Sequence, residues 1–165
     1  MGTMQNTILD IIVAIANTRG TFDHGDSVLY GLKNYIARHS LASDTYYVSE
    51  AAYSQFAEHR LTLPLSRSKI GGLKSHFTFE HPVPASVVMK HIRDSDRSRE
   101  AIASILEIAD CVTLITKDED KTISLLLRSS MPVDWAVGGS QFARYELCGI
   151  PIRTEKIPMV GRLVR

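Results

Sequence analysis

Most of the features that quickly betray a protein's chemistry are missing from this sequence. Only two of its 165 residues are cysteine, Cys111 and Cys148. Two such distant thiols make neither a disulfide framework nor a zinc-ligand spacing. They read as reduced, buried or half-buried thiols. No stretch approaches the roughly 18 apolar residues of a membrane span. The apolar run at residues 8–15 is short and lacks the basic flank and small-residue cleavage site of a signal peptide. A cytoplasmic protein is therefore expected. Net charge is only +1, so no excess of one sign commits the whole surface to a polyanion or a membrane. Gly71-Gly72 has no phosphate-loop or dinucleotide pattern around it. There is no Gly-x-Ser-x-Gly elbow, and Cys111 carries no local nucleophile signature.

What is present suits a globular chain: 44% hydrophobic and 22% charged residues. Ile8, Leu9, Ile11, Ile12 and Ile15 form a helical stripe, closed near Gly20. Asp26 or Ser27 opens a second helix, with Val28, Leu32, Tyr35 and Ile36 on one face. Ser49-Glu50 starts a third. Later helices are expected at 85–92, around 102–109, after the capping box Thr116-Lys117-Asp118-Glu119, and from Ser140 to Cys148. Short strands are expected at 46–48, 76–81, 112–115 and within 150–159, the last at a sheet edge because of Pro151 and Pro158. The fold class is thus α+β: a helix-rich single domain over residues 1–165 with a small sheet of short strands. A loop or sub-domain junction is expected at 60–74, where Pro64, Gly71 and Gly72 break the periodicity.

Two neighbouring stretches offer chemistry. Glu80-His81-Pro82-Val83-Pro84 places an acid and a histidine before a proline, with His76 just upstream. This Glu-His-x-x-Pro run resembles the first element of HNH-type nucleases. The resemblance implies His81 as general base on a water, Glu80 beside a divalent metal ion, and nucleic-acid cleavage. The chain departs from that family downstream, with no Asn after Asn34 and no His after His91. His76, Glu80, His81 and His91 also form an alternative metal-ligand set for zinc or nickel. The plainer reading is a strand end stopped by prolines, with scattered histidines. Asp118-Glu119-Asp120 is explained by the helix N-terminus it occupies.

The other stretch, residues 60–79, contains no acid. Arg60, Arg67, Lys69 and Lys74 supply charge for phosphates, and Phe77 and Phe79 supply stacking surface for bases. The favoured expectation is a small binding or regulatory, inhibitor-like protein. It acts on a nucleic acid, or on a protein that handles one, through these six residues. No catalytic residue, metal or cofactor is expected, the alternative being the metal-dependent nuclease on Glu80 and His81. A homo-oligomer built on apolar helical faces is a further option.

Overall fold

The structure is a computed structural model that describes residues 2–23 and 26–161, without the side chain of Asp26. The expected capping of the second helix by Asp26 or Ser27 falls at the edge of this range, and the Asp26 side chain lies outside it. Four helices form one apolar layer. Helix α1 (Thr3–Asn17) turns Ile8, Leu9, Ile12 and Ala16 inward, at the spacing of one helical face. They meet Leu32 and Ile36 of α2 (Asp26–Leu41). Val88 and Ile92 of α5 (Ala85–Asp94) and Ile102 and Leu106 of α6 (Arg99–Glu107) complete the layer. Among the described residues none of the helices is long and apolar enough to cross a membrane.

The rest of the chain builds a five-stranded mixed sheet in the order β2-β5-β1-β4-β3. Its strands are β1 (Thr45–Val48), β2 (Leu65–Ser66), β3 (Phe77–Glu80), β4 (Thr113–Thr116) and β5 (Ile157–Val160). β1 and β4 are parallel, with Tyr47 opposite Thr113, while β3 runs antiparallel to β4, with Glu80 opposite Thr113. Strand side chains alternate between faces. One face therefore carries Tyr46, Val48, Leu114 and Phe77, covered by Ala52 of α3 (Glu50–Ser54) and Ile70 of α4 (Arg67–Gly72). The other carries Thr113, Ile115 and Glu80. It is covered by Ile123 of α7 (Lys117–Leu127) and Tyr145 of α8 (Ala143–Leu147). β4 is buried at all four residues because both of its faces are covered.

The α+β class stands, with eight helices among the described residues. The last helix begins at Ala143 after Phe142 rather than at a Ser140 cap, and two further details differ from expectation. Residues 60–74 are not simply a loop: Leu65 and Ser66 pair with Met159 and Val160, and α4 follows at once. Leu65 and Ile70 are isolated apolar residues in a basic stretch, yet both are buried in the sheet core. Nor is β5 an edge strand, since it lies between β2 and β1. Its proline is tolerated because Met159 N–H turns toward β1, donating to the Asp44 carbonyl at 2.8 Å. Pro158 therefore lacks its donor on the opposite side, where β2 pairs only with Met159 and Val160.

The capping box at the start of α7 forms as the sequence indicates. Thr116 Oγ1 accepts from Glu119 N–H at 3.3 Å, and Glu119 Oε2 accepts from Thr116 N–H at 2.8 Å. The same carboxylate oxygen accepts from the buried Ser49 hydroxyl at 2.7 Å, which ties α7 to the end of β1. Replacing Thr116 by Ala removes the cap and is expected to lower stability by about 1–2 kcal/mol in urea denaturation. Replacing the exposed Thr122 by Ala serves as the control and should leave the midpoint nearly unchanged.

Candidate functional site

Glu80 ends β3 on the face covered by α8, and that placement decides its partners. Arg144, only 1% exposed, donates from one terminal nitrogen to Glu80 Oε1 at 2.7 Å and to the His81 carbonyl at 2.8 Å. Its other terminal nitrogen donates to the Leu127 carbonyl at 2.7 Å, a group left without an intrahelical partner at the end of α7. Tyr145 O–H donates to Glu80 Oε2 at 2.8 Å. Both carboxylate oxygens are thus engaged. Burial raises the Glu80 carboxyl above its ordinary value, against the opposing pull of Arg144 and Tyr145. Burial likewise lifts the Tyr145 phenol well above its usual range.

His81 is half-buried. Burial first, and then the Arg144 guanidinium, push its imidazole down to about 4. It is therefore neutral at pH 7 but a weak base. His76 lies at the far end of β3, exposed, with its ring 4.3 Å from that of His59. His91 sits on α5 beside Trp135, ring centroids 6.3 Å apart. Among the described residues no three His, Cys, Asp or Glu side chains are grouped to hold a metal ion. The alternative set His76, Glu80, His81 and His91 is not brought together, because its members occupy both ends of a strand and a separate helix. The implied nuclease pair also differs from its expected form, since Glu80 faces a guanidinium and a phenol rather than an open position. Cys111 is fully buried and its thiol is pushed up to about 12 by burial, while Cys148 is half-buried, and both are free thiols.

The expected basic patch divides into two groups. Arg67 is a buried residue, 5% exposed, and not a surface cation. Its Nε donates to Tyr46 Oη at 3.1 Å, one terminal nitrogen donates to the Gly161 carbonyl at 2.9 Å, and the other donates to the Ser43 carbonyl. It ties α4 to the start of β1 and the end of β5. Phe77 is buried in the sheet core, and half-buried Phe79 meets Tyr46 edge-on at 5.4 Å. The strand's alternation turns both rings to the covered face, so they are not available to stack on bases. Arg60, Lys69 and Lys74 remain exposed. The Lys69 ammonium donates to the Arg60 carbonyl, and Arg60 itself takes a left-handed backbone with φ 51°. None of the three makes an ion pair among the described residues. The tilted pair of rings of His59 and His76 sets two imidazoles in and beside the same acid-free segment. Its first member was missed in the sequence, although it immediately precedes Arg60. Of the C-terminal cations, Arg153 pairs with Glu50 at 3.0 Å and Lys156 with Asp110 at 2.6 Å. Arg162 and Arg165 lie outside the described residues.

Comparison with family models, with curated proteins and with solved structures finds no match for this chain. The functional reading therefore rests on the residues themselves.

Two outcomes follow from these geometries. Arg144→Ala takes the counterion from a largely covered Glu80, leaving it the Tyr145 hydrogen bond, and is expected to lower stability by about 3–5 kcal/mol. The double change Arg144→Met with Glu80→Gln should recover part of that loss, as measured by urea unfolding. The second outcome concerns acid. His39, only 1% exposed, is lowered by burial to about 4, as is His81, from an ordinary value of 6.5. The unfolded chain therefore takes up these protons first, and stability held above pH 6.5 is lost as pH falls toward 4. The slope should approach, at most, about 1.4 kcal/mol per pH unit for each histidine. Urea midpoints measured from pH 7.5 to 4.5 check it.

Proposed function

We propose that this protein is a non-catalytic binding protein that docks on the phosphate backbone of a nucleic acid through Arg60, Lys69 and Lys74. The observation that carries the reading is the exposure of these three cations on an acid-free segment, none of them paired with a carboxylate among the described residues. The tether from Lys69 to the Arg60 carbonyl supports it further, because a fixed ammonium loses less conformational freedom on meeting a phosphate. The two core-facing phenylalanines weigh against stacking on bases. The expected recognition is therefore of charge and shape rather than sequence. A regulatory or inhibitory role would follow from occupying the nucleic acid.

The test is fluorescence anisotropy of labelled single-stranded RNA and duplex DNA, titrated with protein over a range of salt. Wild type should bind with an affinity that falls as salt rises. The triple variant Arg60→Ala, Lys69→Ala, Lys74→Ala should bind more weakly at low salt. Its slope of log K against log salt should be smaller by about 2–3, since each lost phosphate contact removes about 0.7–0.9. Arg67→Ala should instead lower stability while leaving the slope of the folded fraction unchanged. An unaltered slope in the triple variant removes this surface from the account. Cleavage of either substrate with magnesium or manganese, abolished by His81→Ala, would replace it with the nuclease reading.

A further inference from the structure

Helix α7 turns Ile123 and Leu127 into the core and leaves its opposite face uncovered. Asp118, Thr122 and Leu125 share that outward face at helical spacing, with Leu126 and Arg128 at its two edges. Leu125 is 85% exposed and Leu126 61%. Among the described residues, five of the eleven exposed large apolar side chains fall between positions 125 and 147, the other three being Val133, Val137 and Leu147. A concentration of this kind in one stretch marks an interaction surface.

The surface is held in place. Arg144 closes the end of α7 through the Leu127 carbonyl at 2.7 Å. Ser86 Oγ donates to the Ser129 carbonyl at 3.0 Å, and Trp135 Nε1 donates to the Ser140 carbonyl at 2.9 Å. These bonds pin the loop that follows the helix. A preformed surface gives up little freedom on being covered.

Charge selects what covers it. α7 is acidic in its first turn, at Asp118, Glu119 and Asp120, and basic at its C-terminal cap, Arg128. Arg128 is exposed and makes no ion pair among the described residues. Asp118 spends one oxygen on Lys121, an exposed pair worth little, and keeps the other. The two ends lie about 15 Å apart at the rise of an α-helix. A helix with acid at one end, base at the other and leucines near the middle is its own complement when turned end for end.

We propose that α7 is a dimer interface, packed antiparallel on α7 of a second copy about a two-fold axis. Asp118 of each copy then faces Arg128 of the other, and Leu125 and Leu126 are covered between them. Such a contact is isologous, so each charge pair forms twice. A different protein would have to present the same acid, base and apolar centre at matching spacing, whereas a second copy does so by construction. The inference is independent of the basic surface around Arg60.

Sedimentation velocity of the full chain between about 1 and about 300 µM should show monomer passing to dimer, with Kd below about 100 µM. Leu125→Glu with Leu126→Glu should weaken the association at least about tenfold. Asp118→Lys makes both contacting groups basic, and Arg128→Glu makes both acidic. Each of these variants alone should remain monomeric at about 100 µM. Mixed one to one, the two should form a heterodimer, since every contact then joins opposite charges. All four positions are exposed, and far-UV circular dichroism checks that each variant is folded. Should a variant fail to fold, the wild type decides alone: the backbone amide NMR signals of residues 118–128 should shift on dilution. A wild-type chain that stays monomeric, undiminished association of the leucine variant, a mixture no more associated than its components, or amide signals unmoved by dilution would each overturn the proposal.

Discussion

The Arg144 guanidinium joins three separate parts of this fold at once. Through it the end of β3, the end of α7 and α8 itself meet at one buried point. The demand comes from Glu80, a carboxylate that strand alternation turns into a covered face. A charge in that position must be matched, and desolvation is the larger part of its energetics. Arg144 is suited to the task because a planar fork of donors can serve a carboxylate and two carbonyls together. A lysine would offer a point charge and lose that geometry. The match is incomplete, since Arg144 Nε, Thr113 Oγ1 and the Gln141 amide oxygen are buried without partners among the described residues. Such a cluster specifies one arrangement of α8 on the sheet more than it adds stability.

The same point bears on how the Glu-His run reads. Acid, histidine and prolines close together suggested a reactive strand end, and every one of those residues is where a strand end belongs. What the local run does not contain is its counterion, which arrives from 64 residues downstream. A motif of five residues carries no information about that. Arg67 is a comparable case. In sequence it is one cation among four, and only the fold reveals that its guanidinium is spent on three acceptors inside.

The fold class was legible because periodicity is local. The apolar stripe of α1, the Thr116 to Glu119 box and the apolar run through Leu114 and Ile115 each show their state within a few residues. The Leu65 to Gly72 segment was not legible, because one strand pair and one short helix leave too few apolar positions to establish a period. Half of the candidate surface was legible for the same reason that charge is: Arg60, Lys69 and Lys74 need only exposure. Phe77 and Phe79 were misread because two aromatics on one strand face are as readily core as contact, and pairing with β4 selects core.

Strand β5 sets an order of events for a chain made from its N-terminus. β2 has no neighbour in the sheet except β5, and one arm of Arg67 closes on Gly161, just beyond it. Residues 65 and 66 therefore gain their strand partner only from residues 159 and 160, whereas Ile70 and two arms of Arg67 meet Phe77, Tyr46 and Ser43, which are made before β5. The helical layer needs none of those late residues, while β1 gains its second neighbour from β5, with Thr45 and Tyr46 opposite Pro158 and Ile157. Vectorial synthesis would thus leave the cationic segment held by α4 and Arg67 but without its strand pairing until β5 is made. A molecule clipped before residue 157 would keep the charges of Arg60, Lys69 and Lys74 but lose the β2 pairing and the Arg67 to Gly161 bond that brace the segment between them.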